Sequence, residues 1–150
     1  MERHFVVAGY GVRDSKVLLV HHRNLGMWLP VGGHIEKNEL PDEAVKREFQ
    51  EEAGLEVEII SNIDKRGECD VVKMLHTPHH VQLEYIRDPQ GDHYHIDLVY
   101  FCKVKEGKEK LEAHAHKEIR WFSKNDLKKE KLQENVMHFA KLAIDFVRKK

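Results

Sequence analysis

Glu48, Glu51 and Glu52 are separated by steps of three, four and one, and Arg47 directly precedes them. On a helix the three- and four-residue steps bring side chains to one edge, with Arg47 one turn before Glu51. Like charges at these spacings cost about 0.2–0.5 kcal/mol per pair in water, and more where solvation falls. A cation relieves that cost. A hard divalent ion such as Mg2+ takes oxygen ligands, keeps several waters and shares its shell with substrate phosphates. Three glutamates beside the paired Gly32 and Gly33, whose backbone carbonyls can turn inward, form a suitable donor set. Taken alone, three glutamates are more commonly the solvated face of an amphipathic helix.

A helix is predicted from about residue 41 to residue 53. Pro41 suits its first turn, Asp42 and Glu43 complement the positive end of its dipole, and Gly54 suits a left-handed stop. Leu40 occupies the N-cap position without a side-chain oxygen to offer. Val45, Phe49 and Ala53 form an apolar stripe, Glu48 and Glu52 flank it, and Glu51 lies beyond them.

Around this helix, "HFVVAGYGV" and "KVLLVHHR" read as an antiparallel hairpin about "RDS". "NLGMWLPVGG" reads as a loop. Strands are predicted in "LEVEIISNIDKRG", in "HHVQLEYIRD" and "HYHIDLVYFCKV" on either side of the turn "PQGD", and in "EIRWFS" after a polar loop, "EGKEKLEAHAHK". Ser123 is the expected N-cap of "KNDLKK". Leu132, Val136, Phe139, Ala140, Ala143 and Val147 recur at helical steps, predicting a terminal helix packed on the body or on a second subunit. Its basic end "VRKK" complements the helix dipole, which is favoured over a membrane-surface role. This order predicts an α+β fold, a layered αβα arrangement with mostly antiparallel strands, in one domain over residues 1–150.

The composition is that of an ordinary soluble domain: 41% hydrophobic, 34% charged and a net charge of −1. No general affinity for nucleic acid or membranes is expected from that balance. Cys69 and Cys102 are far apart and form no CxxC pair, arguing against a disulfide framework or cysteine zinc site. With no signal-peptide core or bilayer-length apolar run, a cytoplasmic protein is expected. The 12 histidines include "HH", "HYH" and "HAH", which invite a zinc reading; without a cysteine or fourth ligand at a recognisable spacing, scattered surface histidines are the simpler expectation.

From Gly33 the chain reads Gly, five residues, Glu39, seven residues, Arg47, Glu48, Phe49, Gln50, Glu51, Glu52, Ala53, Gly54, Leu55. This segment, 33–55, resembles the Nudix box at every fixed position, and the order of the other elements is similar to the Nudix αβα sandwich. The resemblance implies Mg2+- or Mn2+-dependent hydrolysis of a pyrophosphate bond in a nucleoside diphosphate derivative. It implies that Glu48, Glu51 and Glu52 are metal ligands, that Glu48 acts as or positions the general base, and that Gly32 offers a carbonyl to the metal. Arg47 would orient a box carboxylate such as Glu39. Glu112 and Glu118 are both candidates for the late-loop glutamate that some relatives use. The features that mark NADH pyrophosphatases, many ADP-ribose hydrolases and many diadenosine polyphosphate hydrolases are missing downstream of the box. A MutT-like hydrolase of nucleoside triphosphates is then the default expectation. A homodimer is compatible with the family, but nothing in the sequence fixes an interface.

Outside the box, Arg23 is a candidate phosphate contact, weighed evenly against a solvated strand end. His95 and Asp97 alternate onto one strand face and are candidates for lining the cleft, with structural hydrogen bonding the favoured account. Trp28 is read as core in preference to a base-stacking platform.

Overall fold

The protein is described by a computed structural model covering residues 1–150. Its elements are strands β1 (Arg3–Arg13), β2 (Lys16–His22), β3 (Met27–Leu29) and β4 (Val31–His34), helix α1 (Pro41–Ala53), strands β5 (Val57–Ile60), β6 (His80–Ile86), β7 (His93–Val104) and β8 (His116–Phe122), and helices α2 (Lys124–Lys128) and α3 (Glu134–Arg148). One 3-10 turn, Lys65–Gly67, follows β5.

The β1–β2 hairpin closes through Asp14 and Ser15, whose φ values of 52° and 59° provide the left-handed turn that matches strand twist. All strand pairs are antiparallel except β1 with β7, which run parallel over ten residues from Arg3↔Tyr94 to Val12↔Lys103. That pairing is the centre of an eight-stranded sheet.

Alternation along β1 and β7 sends side chains to two opposite layers. On one face Val7, Tyr100, Cys102 and Val104 pack against Val45, Phe49 and Ala53 of α1. On the other, Tyr10, Val12, Val99 and Phe101 pack against Val136, Phe139, Ala140 and Ala143 of α3. The result is the αβα sandwich expected from the sequence. Trp28 is core: its ring meets Phe122 edge-on at 5.0 Å, with the Arg120 guanidinium 4.7 Å from its centroid. No helix is long and apolar enough to cross a membrane.

The segment 24–33 differs from its expectation as a loop. The hairpin strands β1 and β2 pair only from Gly11↔Leu18 to Arg13↔Lys16 and then diverge. Into the gap come β3, paired with Val20–His22 of β2, and β4, paired with Val6–Gly9 of β1. Pro30 separates them. Proline and paired glycines have little strand propensity of their own, so these two strands are imposed by unpaired edges on both sides of the fork. The fork carries Gly32 and Gly33 toward α1.

Candidate active site

Helix α1 starts at Pro41 and ends with Gly54 at φ 64°, whose amide donates to Gln50 O at 3.0 Å. Leu40 offers no cap, but Glu43 Oε1 accepts from the Leu40 amide at 2.9 Å. With Phe49 fully buried against the sheet, the next positions around the helix place Glu48 and Glu52 at the edge of the core. Glu52 is only 7% exposed.

Each carboxylate has defined neighbours. Glu52 Oε2 accepts from the Gly32 amide at 3.1 Å, and its Oε1 lies 3.2 Å from His116 Nε2. Glu48 lies beside Glu52, whose carboxylate acts on it at short range. Glu51 is turned outward and takes an Arg47 Nη1 bond at 3.0 Å. Arg47 gathers the group: it grips Glu39 with Nε at 2.7 Å and Nη2 at 3.0 Å, reaches Glu48 with Nη1 at 2.9 Å and donates to the His34 carbonyl at 3.0 Å. Such a two-pronged grip matches a planar guanidinium to a planar carboxylate, which a lysine cannot do.

Electrostatics show what the arrangement lacks. Burial pushes the Glu48 carboxyl up to about 8, helped by the hydrogen bond and charge of Glu52 and opposed by Arg47. The hydrogen bond to Glu52 is likewise the main cause that raises His116, against its own burial. A buried carboxylate beside a half-buried one calls for positive charge between them. Gly33 leaves the space: a Cβ there would strike the Glu48 carboxylate, with Cδ only 2.8 Å away. At Gly32 a Cβ would strike the Val7 carbonyl oxygen. Oxygen donors, unmet negative charge and a glycine cradle fit a hard divalent cation.

The strand divergence opens a cleft of about 760 Å3, within the range of small-molecule sites, and Gly32 and Gly33 form part of its wall. His95 and Asp97 also line it. Asp97 Oδ2 accepts from Gln82 at 3.0 Å, while its buried Oδ1 has no partner. Arg23 is placed differently: its Nε donates to Ala113 O at 2.9 Å, so it braces the late loop and is outside the cleft wall.

His116 is a neighbour of the carboxylates that sequence reasoning missed. A lone histidine in "HAH" has no spacing relation to the box, and only the strand-end position of β8 brings it to Glu52. Of the two late-loop glutamates, Glu112 lies on this side, with Oε2 3.5 Å from His116 Nδ1, while its oxygens accept from the His114 and Ala115 amides. Glu118 instead pairs with Arg120.

Comparison with known proteins agrees with this architecture. A NUDIX domain model matches residues 2–142. A NUDIX-family hydrolase from Clostridium perfringens is 39% identical over 98% of this chain and 99% of its own, with a TM-score of 0.85. The fold is also shared with a MutT NUDIX hydrolase from Burkholderia pseudomallei, 21% identical over 98% of this chain and 99% of that one, TM-score 0.64. It is shared again with the NUDIX domain of Shewanella oneidensis NrtR complexed with ADP ribose, 17% identical over 99% and 88% of the chains, TM-score 0.64. A search of curated proteins found no match. Sandwich and carboxylate helix together define a pyrophosphohydrolase. The chain belongs to the Nudix hydrolase family.

Proposed function

We propose that this enzyme hydrolyses a pyrophosphate bond of a nucleoside triphosphate, in the MutT-like manner, with Mg2+ or Mn2+ as its ion. The observation that carries the reading is the pair of Glu48 and Glu52 set directly behind Gly33 and Gly32, the glycines that form part of the wall of a nucleotide-sized cleft. Glu48, Glu51 and Glu52, with the Gly32 carbonyl, are the residues to hold the ion. Its chemistry is charge neutralisation on the phosphates and acidification of water.

The protein's own groups do the rest. Arg47 fixes Glu39, Glu48 and Glu51 in one array, and so acts as a positioning residue. The Gly32 amide and His116 clamp Glu52. With the ion bound and its own proton displaced, Glu48 would take, or position the group that takes, the proton of the attacking water, whose oxygen bonds to phosphorus as the bridging P–O bond breaks and the bridging oxygen leaves with the departing phosphate. Asp97 Oδ1 and Gln82 are the polar groups offered to the remainder of the nucleotide.

A hydrolysis panel with Mg2+ tests this, spanning nucleoside triphosphates, ADP-ribose, NADH, dinucleoside polyphosphates and nucleotide sugars. A nucleoside triphosphate is expected to give the highest kcat/KM, and Glu52→Gln to lower kcat by about 100-fold or more, roughly 2.7 kcal/mol of barrier, without loss of fold. A nucleotide sugar or ADP-ribose as best substrate overturns the substrate class. Binding without hydrolysis of any member makes the domain a nucleotide sensor.

A further inference from the structure

Four histidines that are dispersed in sequence meet at the rim of the cleft. His4 belongs to β1, His34 to β4, and His93 and His95 to β7. The parallel register sets His4 opposite His95, and the antiparallel one sets His34 opposite Val6, two residues from His4. Ring centroids are 4.7 Å apart for His4 and His93, 5.0 Å for His93 and His95, and 5.1 Å for His34 and His95. We propose that His4, His93 and His95, with His34 beside them, form a binding site for a d-block divalent ion of the Zn2+ kind, separate from the Nudix carboxylates.

The donor geometry supports this. One nitrogen from each of His4, His93 and His95 lies within 4.8 Å of the other two. His93 Nε2 and His95 Nε2 are 3.1 Å apart. Two imidazoles on a tetrahedral zinc, with bonds of about 2.0–2.1 Å, hold their nitrogens roughly 3.3 Å apart, so these two need almost no rearrangement. His34 Nε2, 3.3 Å from His4 Nδ1, stands by for the fourth position.

The outer hydrogen bonds are of the kind that metal-bound histidines make. His93 Nδ1 lies 3.0 Å from the Gly91 carbonyl, an arrangement that places a proton on Nδ1 and leaves Nε2 as the ligand atom. His4 Nε2 is 2.9 Å from Glu2 Oε2, a carboxylate–histidine pair that leaves Nδ1 facing inward. Imidazole donors without carboxylates suit zinc, copper or nickel and not Mg2+. An ion here would tie β1, β4 and β7 together beside the substrate opening.

Zn2+ affinity, measured by competition with a chromogenic chelator in excess Mg2+ and no nucleotide, tests the proposal. Expected is one Zn2+ per chain, retained in the Glu48→Gln/Glu52→Gln variant and weakened in His4→Gln/His93→Gln by more than the roughly 100-fold that an outer partner can be worth. Glu2→Gln keeps every ring and is expected to weaken binding about tenfold, which preserves the test should the double histidine variant not fold. Co2+ in place of zinc is expected to give a tetrahedral visible spectrum that the histidine variant lacks. No stoichiometric Zn2+ binding by the wild type overturns the proposal. So does binding that survives the histidine substitutions or disappears with the glutamates.

Discussion

The raised carboxyl of Glu48 makes stability depend on pH in a direction set by burial. In the folded chain Glu48 is pushed up to about 8 from an ordinary 4.5, so between those values the folded state keeps a proton that the unfolded chain has released. Stability contributed by this group therefore falls as pH rises through that window. In the absence of divalent ions, Glu48→Gln should match the wild type near pH 4.5 and melt higher at pH 8, by about 2–4 °C for each kcal/mol relieved. Thermal melts in EDTA across the two pH values check this; equal melting at pH 8 would count against a crowded pair. Arg47 is the reason the crowding is tolerated at all, because one guanidinium serves three carboxylates and a carbonyl.

At the scale of elements, the contact between β1 and α1 sets where the carboxylates stand. Gly9 and Gly11 let the Phe49 ring lie directly on the strand backbone; a Cβ at Gly11 would come within 2.7 Å of Val104 Cγ2 and 2.8 Å of Phe49 Cε1. Gly11→Ala should cost about 1–3 kcal/mol by overpacking and lower turnover as α1 is lifted, read by denaturant unfolding beside kcat. The helix itself was legible in the sequence, since Pro41 and Gly54 punctuate it and Val45, Phe49 and Ala53 give its buried face. Strands β6, β7 and β8 and the Ser123 cap were legible for the same local reasons. Strands β3 and β4 were not, because Pro30, Gly32 and Gly33 become strand only by meeting edges that other strands leave open. His116 and the four-histidine cluster escaped for a related reason: residues from separate strands become neighbours through register, and no spacing along the chain announces it.

For the whole molecule, the proposed ion site on the carboxylate pair would couple folding to ion binding. A ligand that binds only the folded state at 100 times its Kd adds about 2.7 kcal/mol, or roughly 5–10 °C in Tm for a domain of this size. Mg2+ should raise Tm on that order in the wild type, and the rise should vanish in Glu48→Gln/Glu52→Gln; an unchanged shift in that variant would place the ion elsewhere. The late loop adds a second coupling. Lys110 and Glu112 amides donate to Ala53 and Glu52 carbonyls at 2.7 and 3.1 Å, and Arg13 at the end of β1 and Arg23 just after β2 hold the same loop. The end of α1 is thereby sealed by a segment remote in sequence. The forked hairpin has one further consequence. In the proposed function, the carboxylates of α1 and the polar groups offered to the rest of the nucleotide meet around Gly32, Gly33 and His34, with Gln82 and Asp97 on strands that carry no box residue. Under the proposed function, substitutions in β6 and β7 change which nucleotide is held while leaving the carboxylates of α1 in place.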